Sequence, residues 1–99
     1  MLDTLSYTAV QGSKTKPSIT IFALSTCGFC KRSMTFLQNN GFAYRYIYID
    51  TIPLETKTEV KRILKDRYKT DIAFPFATVG DSDHLVGFIE ADWKRTLGV

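Results

Sequence analysis

The chain is poor in metal-binding side chains: its 99 residues include two cysteines and one histidine, His84. A structural zinc site takes four such ligands, so no zinc site can be closed from these three groups, and no resident metal is expected. His84 reads as a surface residue of a hairpin. No apolar stretch approaches the roughly 20 residues of a membrane-spanning helix, so no membrane association is expected. The N-terminus lacks the basic and apolar regions of a signal peptide, which points to a cytoplasmic location, where structural disulfides do not persist. Charge of one sign is also in short supply. The net charge is +3, and the basic residues Lys57, Lys61, Arg62, Lys65, Arg67 and Lys69 read as a solvated helix face more readily than as a docking surface for an acidic partner. Tyr44, Tyr46 and Tyr48 alternate along one stretch, but no nucleic-acid module signature accompanies them, so no nucleic-acid partner is expected.

The remaining composition is that of one small globular domain: 44% hydrophobic, 23% charged, six glycines and three prolines. Such a chain can bury a single core, and a monomer is expected. Its two cysteines stand three positions apart, in Cys27-Gly28-Phe29-Cys30. Ahead of them, Ile19–Leu24 is a β-branched and aromatic run that reads as a buried strand. Behind them, Cys30, Met34 and Leu37 recur at helical spacing. A second strand, Ala43–Ile49, follows. The dithiol therefore sits where a strand becomes a helix inside a β-α-β unit, the context in which C-x-x-C is a redox motif.

At a helix start the first N–H groups have no intrahelical partner, and the helix dipole adds about half a positive charge. A thiolate at Cys27 is stabilised there, with Lys31 and Arg32 nearby. Cys30, one turn further in, is less favoured as an anion and better placed as the resolving thiol. A disulfide between the two closes a very small loop, for which chain entropy gives only about 2 kcal/mol. Helical neighbours at this spacing hold their Cβ atoms about 5–6 Å apart, whereas a disulfide prefers about 3.8 Å. Such a bond opens easily, which suits an electron carrier better than a staple. Iron–sulfur ligation through Cys27, shared between two copies of the chain, is the alternative reading.

Along the chain, residues 1–17 form an N-terminal extension in which Ser6–Gln11 reads as an extra edge strand, paired as a hairpin with Ile19–Leu24. A first helix is expected over Cys27–Asn40, ended by a left-handed Gly41. The next strand should lie parallel to the first through a right-handed crossover. Asp50 or Thr51 is expected to cap a second helix, with Pro53 at its first position and its end near Arg67. Ile72–Val79 reads as an edge-like strand opened by Pro75, and His84–Phe88 as its hairpin partner across Gly80–Asp83. A short final helix carries Trp93 and Leu97 and stops at Gly98. Phe36, Phe42 and Trp93 read as core. The order β-α-β-α-β-β-α describes an α/β fold with a mixed four-stranded sheet flanked by helices, plus the extra N-terminal strand.

Ser25-Thr26-Cys27-Gly28-Phe29-Cys30, the Phe74-Pro75 step and Val86-Gly87-Phe88 together resemble a glutaredoxin of the thioredoxin-fold superfamily, over about residues 18–97; residues 18–99 are taken as this domain. The resemblance implies a thiol–disulfide oxidoreductase in which Cys27 is the nucleophile and Cys30 the resolving thiol. It implies a cis bond before Pro75, with the backbone of Phe74 offered to the bound substrate, Phe29 as the aromatic between the cysteines, and Gly87 in the substrate-binding loop. Disulfide-containing proteins are the implied substrates. No tightly bound cofactor is implied, and the electron donor is either glutathione or a thioredoxin reductase-type enzyme. Glutathione users of the family commonly carry a cation where this chain has Leu24, and a second glycine where it has Phe88. These departures lead us to expect weak glutathione binding and a dithiol protein as the preferred donor.

Overall fold

The computed structural model describes residues 2–99. After a 3-10 turn at Leu2–Thr4, the elements are β1 (Thr8–Val10), β2 (Ile19–Ala23), α1 (Gly28–Asn39), β3 (Tyr44–Tyr48), α2 (Leu54–Tyr68), β4 (Phe76–Val79), β5 (Asp83–Val86) and α3 (Glu90–Leu97). They build one mixed sheet of five strands in the order β1-β3-β2-β4-β5. β2 and β3 are parallel, as a β-α-β crossover requires. The pairs β2–β4, β4–β5 and β1–β3 are antiparallel. This is the thioredoxin-like arrangement with one strand added at the N-terminus.

β2 is central, and all five of its residues are buried. Because successive side chains of a strand point to opposite faces, β2 serves two cores. Ile19, Ile21 and Ala23 face Met34, Phe36 and Leu37 of α1 and Trp93 of α3. Phe22 faces the opposite side, with Val60 and Leu64 of α2 and Leu2 of the N-terminal turn. Among the described residues, no helix is long and apolar enough to cross a membrane.

Helix α1 stops where the sequence says it should. Gly41 adopts φ 76°, its N–H donates to Gln38 O at 3.1 Å, and the N–H of Phe42 donates to Leu37 O at 3.0 Å. These two bonds form a Schellman closure, which needs the left-handed backbone that glycine supplies. Gly98 ends α3 in the same left-handed conformation.

Three expectations are corrected. The N-terminal strand does not form a hairpin with β2. It pairs with β3, with Thr8 opposite Tyr46 and Val10 opposite Tyr44. Both edges of β2 are already taken, by β3 and β4, and β1 joins the sheet at the outer edge of β3. Residues 12–16 then run beside the α1–β3 connection, Lys14 exchanging backbone hydrogen bonds with Gly41 O (2.9 Å) and Ala43 N (2.8 Å). Nor is the strand after Pro75 an edge strand, since β4 lies between β2 and β5. Pro75 stands one residue before the ladder begins, so its missing N–H costs the sheet no bond. Finally, neither Asp50 nor Thr51 caps α2. Pro53 occupies the N-cap position without a side-chain bond, and the helix starts at Leu54.

Candidate functional site

The dithiol stands on the turn that joins the central strand to α1. The N–H of Cys27 donates to Leu24 O at 3.2 Å, closing the turn. Cys27 is the N-cap of α1, with extended backbone (φ −89°, ψ 115°). Its Sγ accepts the N–H of Cys30 at 3.1 Å, taking the place that a serine or aspartate oxygen usually holds at a helix start. The same Sγ lies 4.0 Å from the carbonyl oxygen of Phe74. The Phe74–Pro75 bond is cis, as is Lys16–Pro17. Both cysteines are free thiols; Cys27 is half-buried and Cys30 fully buried.

The two thiols differ sharply in their surroundings. Burial, reinforced by its hydrogen bond to Cys27, pushes the Cys30 thiol up to about 12. Cys30 therefore stays protonated while Cys27 holds the helix terminus. The buried Ser33 hydroxyl donates to Cys30 O at 2.7 Å, tying off the first turn behind the dithiol.

The other expected site residues fall at one end of the sheet. Phe29 is 57% exposed, and the Arg32 guanidinium lies 5.4 Å from its ring centre. Gly87 (φ 71°) donates its N–H to Pro75 O at 2.8 Å, so it adjoins the proline strand rather than the sulfurs. Its carbonyl accepts the Trp93 indole N–H at 2.9 Å. Phe88 turns into the core, its ring 5.8 Å from that of Phe36 and 5.3 Å from that of Trp93. Leu24 packs with the α2-side core. His84 lies between Tyr68 and Phe76, with ring centres 4.9 and 5.7 Å away. Among the described residues, no group of three or more His, Cys, Asp or Glu gathers to hold a metal ion.

One contact was not foreseen. Asp50 reaches across from the end of β3 and accepts from the Ser25 N–H at 3.0 Å and from the Ser25 hydroxyl at 2.5 Å. These bonds hold its carboxyl below the usual carboxylate range and pin the turn two residues ahead of Cys27. The available signal was topological: β2 and β3 are parallel neighbours, so the residues following each of them abut.

Comparison with known proteins agrees with this geometry. The glutaredoxin family model matches residues 19–75. The structure resembles a glutaredoxin from Methanosarcina mazei Go1 (TM-score 0.79, 25% identity, covering 94% of this chain and 88% of that one). It also resembles a glutaredoxin from Archaeoglobus fulgidus (0.70, 26%, 80% and 84%) and the methanoredoxin of Methanosarcina acetivorans (0.73, 26%, 89% and 90%). No curated protein sequence matches the chain. Since the family match takes in more than half of the residues and runs from the buried central strand through the dithiol to Pro75, the chain belongs to the glutaredoxin family.

Proposed function

We propose that the protein reduces disulfides in other proteins through a Cys27–Cys30 dithiol, acting as a monomer in the cytoplasm. The observation that carries this reading is the position of Cys27 Sγ, which accepts the N–H of Cys30 at the start of α1 and faces the Phe74 carbonyl. In the first step the Cys27 thiolate attacks one sulfur of the substrate disulfide. A mixed disulfide forms, and the other substrate sulfur leaves as a thiolate that takes up a proton. In the second step Cys30 gives up its proton and attacks Cys27 Sγ. The mixed disulfide breaks, the substrate leaves as a dithiol, and the protein keeps the Cys27–Cys30 disulfide. Two electrons have passed to the substrate, and an external thiol donor must return them.

Phe29 and the backbone of Phe74, held by Pro75 and Gly87, form the surface on which an extended substrate lies. Residues 18–99 are the redox domain and residues 1–17 an extension packed against it. The Cys30→Ser variant stops the sequence after the first step. It should accumulate a substrate mixed disulfide that a reducing agent releases, and the absence of any such adduct with disulfide-bearing proteins would contradict the reading.

For the donor, we propose a dithiol reductase in preference to glutathione. Leu24 supplies no cation, and Phe88 stands where a second glycine would let a peptide backbone approach. Losing hydrogen bonds to charged groups costs about 1.5–3 kcal/mol each. Turnover of one substrate should therefore be faster with a thioredoxin reductase than with glutathione and its reductase, and Leu24→Lys should raise the glutathione-dependent rate. Faster turnover with glutathione in the parent protein would contradict this choice.

A further inference from the structure

An open groove lies away from the sulfurs. It runs between α1 and α3, has a volume of about 590 Å³, and begins at Lys31 and Arg32, immediately after Cys30. Its floor is aromatic, formed by Phe36 and the partly buried Phe88. Its rim is basic. Lys31, Arg32 and Lys94 face a single carboxylate, Glu90, which is already bound to Lys94 at 3.4 Å. Among the described residues, neither Lys31 nor Arg32 makes an ion pair. The α1 wall extends from Lys31 to Asn39, about 12 Å at 1.5 Å per residue. That is the length of about four residues of extended chain.

We propose that this groove receives an acidic, extended segment flanking the disulfide of the protein substrate. The proposal rests on the redox reading above. A peptide lying along α1 with its carboxylates on Lys31, Arg32 and Lys94 and an apolar side chain over Phe36 and Phe88 would carry its neighbouring cysteine to the exposed side of Cys27. Paired charges at such a rim act mainly on encounter rate and selectivity, and salt weakens them.

The test has a binding arm and a turnover arm. In the first, a cysteine-free acidic tetrapeptide (Asp-Glu-Phe-Glu) is titrated into the reduced full chain while amide resonances are followed by NMR. Shifts at Thr35, Asn39 and Phe88 are expected with this peptide and not with its lysine counterpart. Shifts centred elsewhere, no shifts at all, or equal shifts with inorganic phosphate at the same concentration would overturn the proposal. In the second arm, Thr35→Glu and Lys94→Glu are each compared with the parent on a peptide disulfide with an acidic flank and on a small uncharged disulfide. Each variant should lower kcat/KM for the acidic peptide about three- to tenfold at low salt. Each should leave the uncharged disulfide within about twofold, with the difference fading in 0.5 M salt. Equal losses on both substrates, or none on either, would overturn the proposal. Because the titration involves no chemistry, failure of every disulfide to turn over would overturn the redox reading and leave the binding result to stand by itself.

Discussion

The turn that carries the dithiol and the N-terminal segment beside β3 are both short, irregular stretches held by a few hydrogen bonds, yet their surroundings are opposites. A Cβ added to Gly28, between the two cysteines, would meet no atom within 4 Å, whereas one added to Gly12 would meet Ala43 N and Phe42 C at 2.5 Å and Gly41 O at 2.7 Å. Phe29 stands largely in solvent at the first site. At the second, backbone lies on backbone, and further along the same segment Leu2 is buried in the α2-side core. Tyr7 donates to Leu2 O at 2.8 Å and lies under the Arg45 guanidinium, 4.0 Å from its ring centre. A thiol that must meet a foreign disulfide needs free space around it. A segment that closes a sheet edge needs none. The same chain thus separates reactivity from stability by where it leaves room.

If that separation is real, substitutions in the two regions should affect different quantities. The largest effect is expected from Cys27→Ser. It removes the nucleophile, so turnover of protein disulfides should fall by at least about three orders of magnitude. The thermal midpoint should move by no more than about 4 °C, because serine also caps a helix well. A large loss of stability would show that the dithiol turn is also a structural clamp. Gly12→Ala should do the reverse. Backbone atoms at 2.5 Å cannot rotate aside, so the connection after α1 must shift, at about 1–3 kcal/mol and a fall in Tm of at least about 4 °C. Its rate per folded molecule should stay within about twofold of the parent. An unchanged midpoint would mean that the segment is not seated as described.

A smaller effect separates the two cysteines themselves. Folded Cys30 keeps its proton up to about 12, against an ordinary value of 9.0. Between those values the unfolded chain binds fewer protons than the folded one, so stability falls as pH rises through that interval and is complete below it. From pH 9 to 10.5 the loss attributable to Cys30 is on the order of 2 kcal/mol. Denaturant unfolding of the reduced protein should show a decline that Cys30→Ala flattens in part. Burial raises Tyr7, Tyr44 and Tyr48 as well, so the remainder should persist. Identical pH profiles for parent and variant would contradict the burial of Cys30.

The dithiol turn was legible in the sequence because its signals are local. A β-branched run, two cysteines and a helical repeat follow one another within about twenty residues, and Gly41, Gly80 and Gly98 mark their turns by themselves. The placement of Thr8–Val10 was not legible, because nothing within that strand states which edge is vacant. That is decided by β3 and β4, dozens of residues later. Asp50 was misread for a related reason. An aspartate between a strand and a helix has a ready local use as an N-cap, and only the parallel pairing of β2 with β3 brings Ser25 within its reach. Pro75 was placed correctly at a strand start, but its strand lies inside the sheet. The rule that proline avoids ladders concerns one missing donor, not the rank of the strand.

Everything in the mechanism depends on Cys27, not Cys30, being the sulfur that meets the substrate. The direct measurement is competitive alkylation of the reduced protein at neutral pH with a limiting amount of iodoacetamide, with the modified peptides resolved by mass spectrometry. Cys27, half-buried at the helix start, should be modified at least about tenfold faster than the fully buried Cys30. Modification of Cys30 at an equal or greater rate would contradict the account.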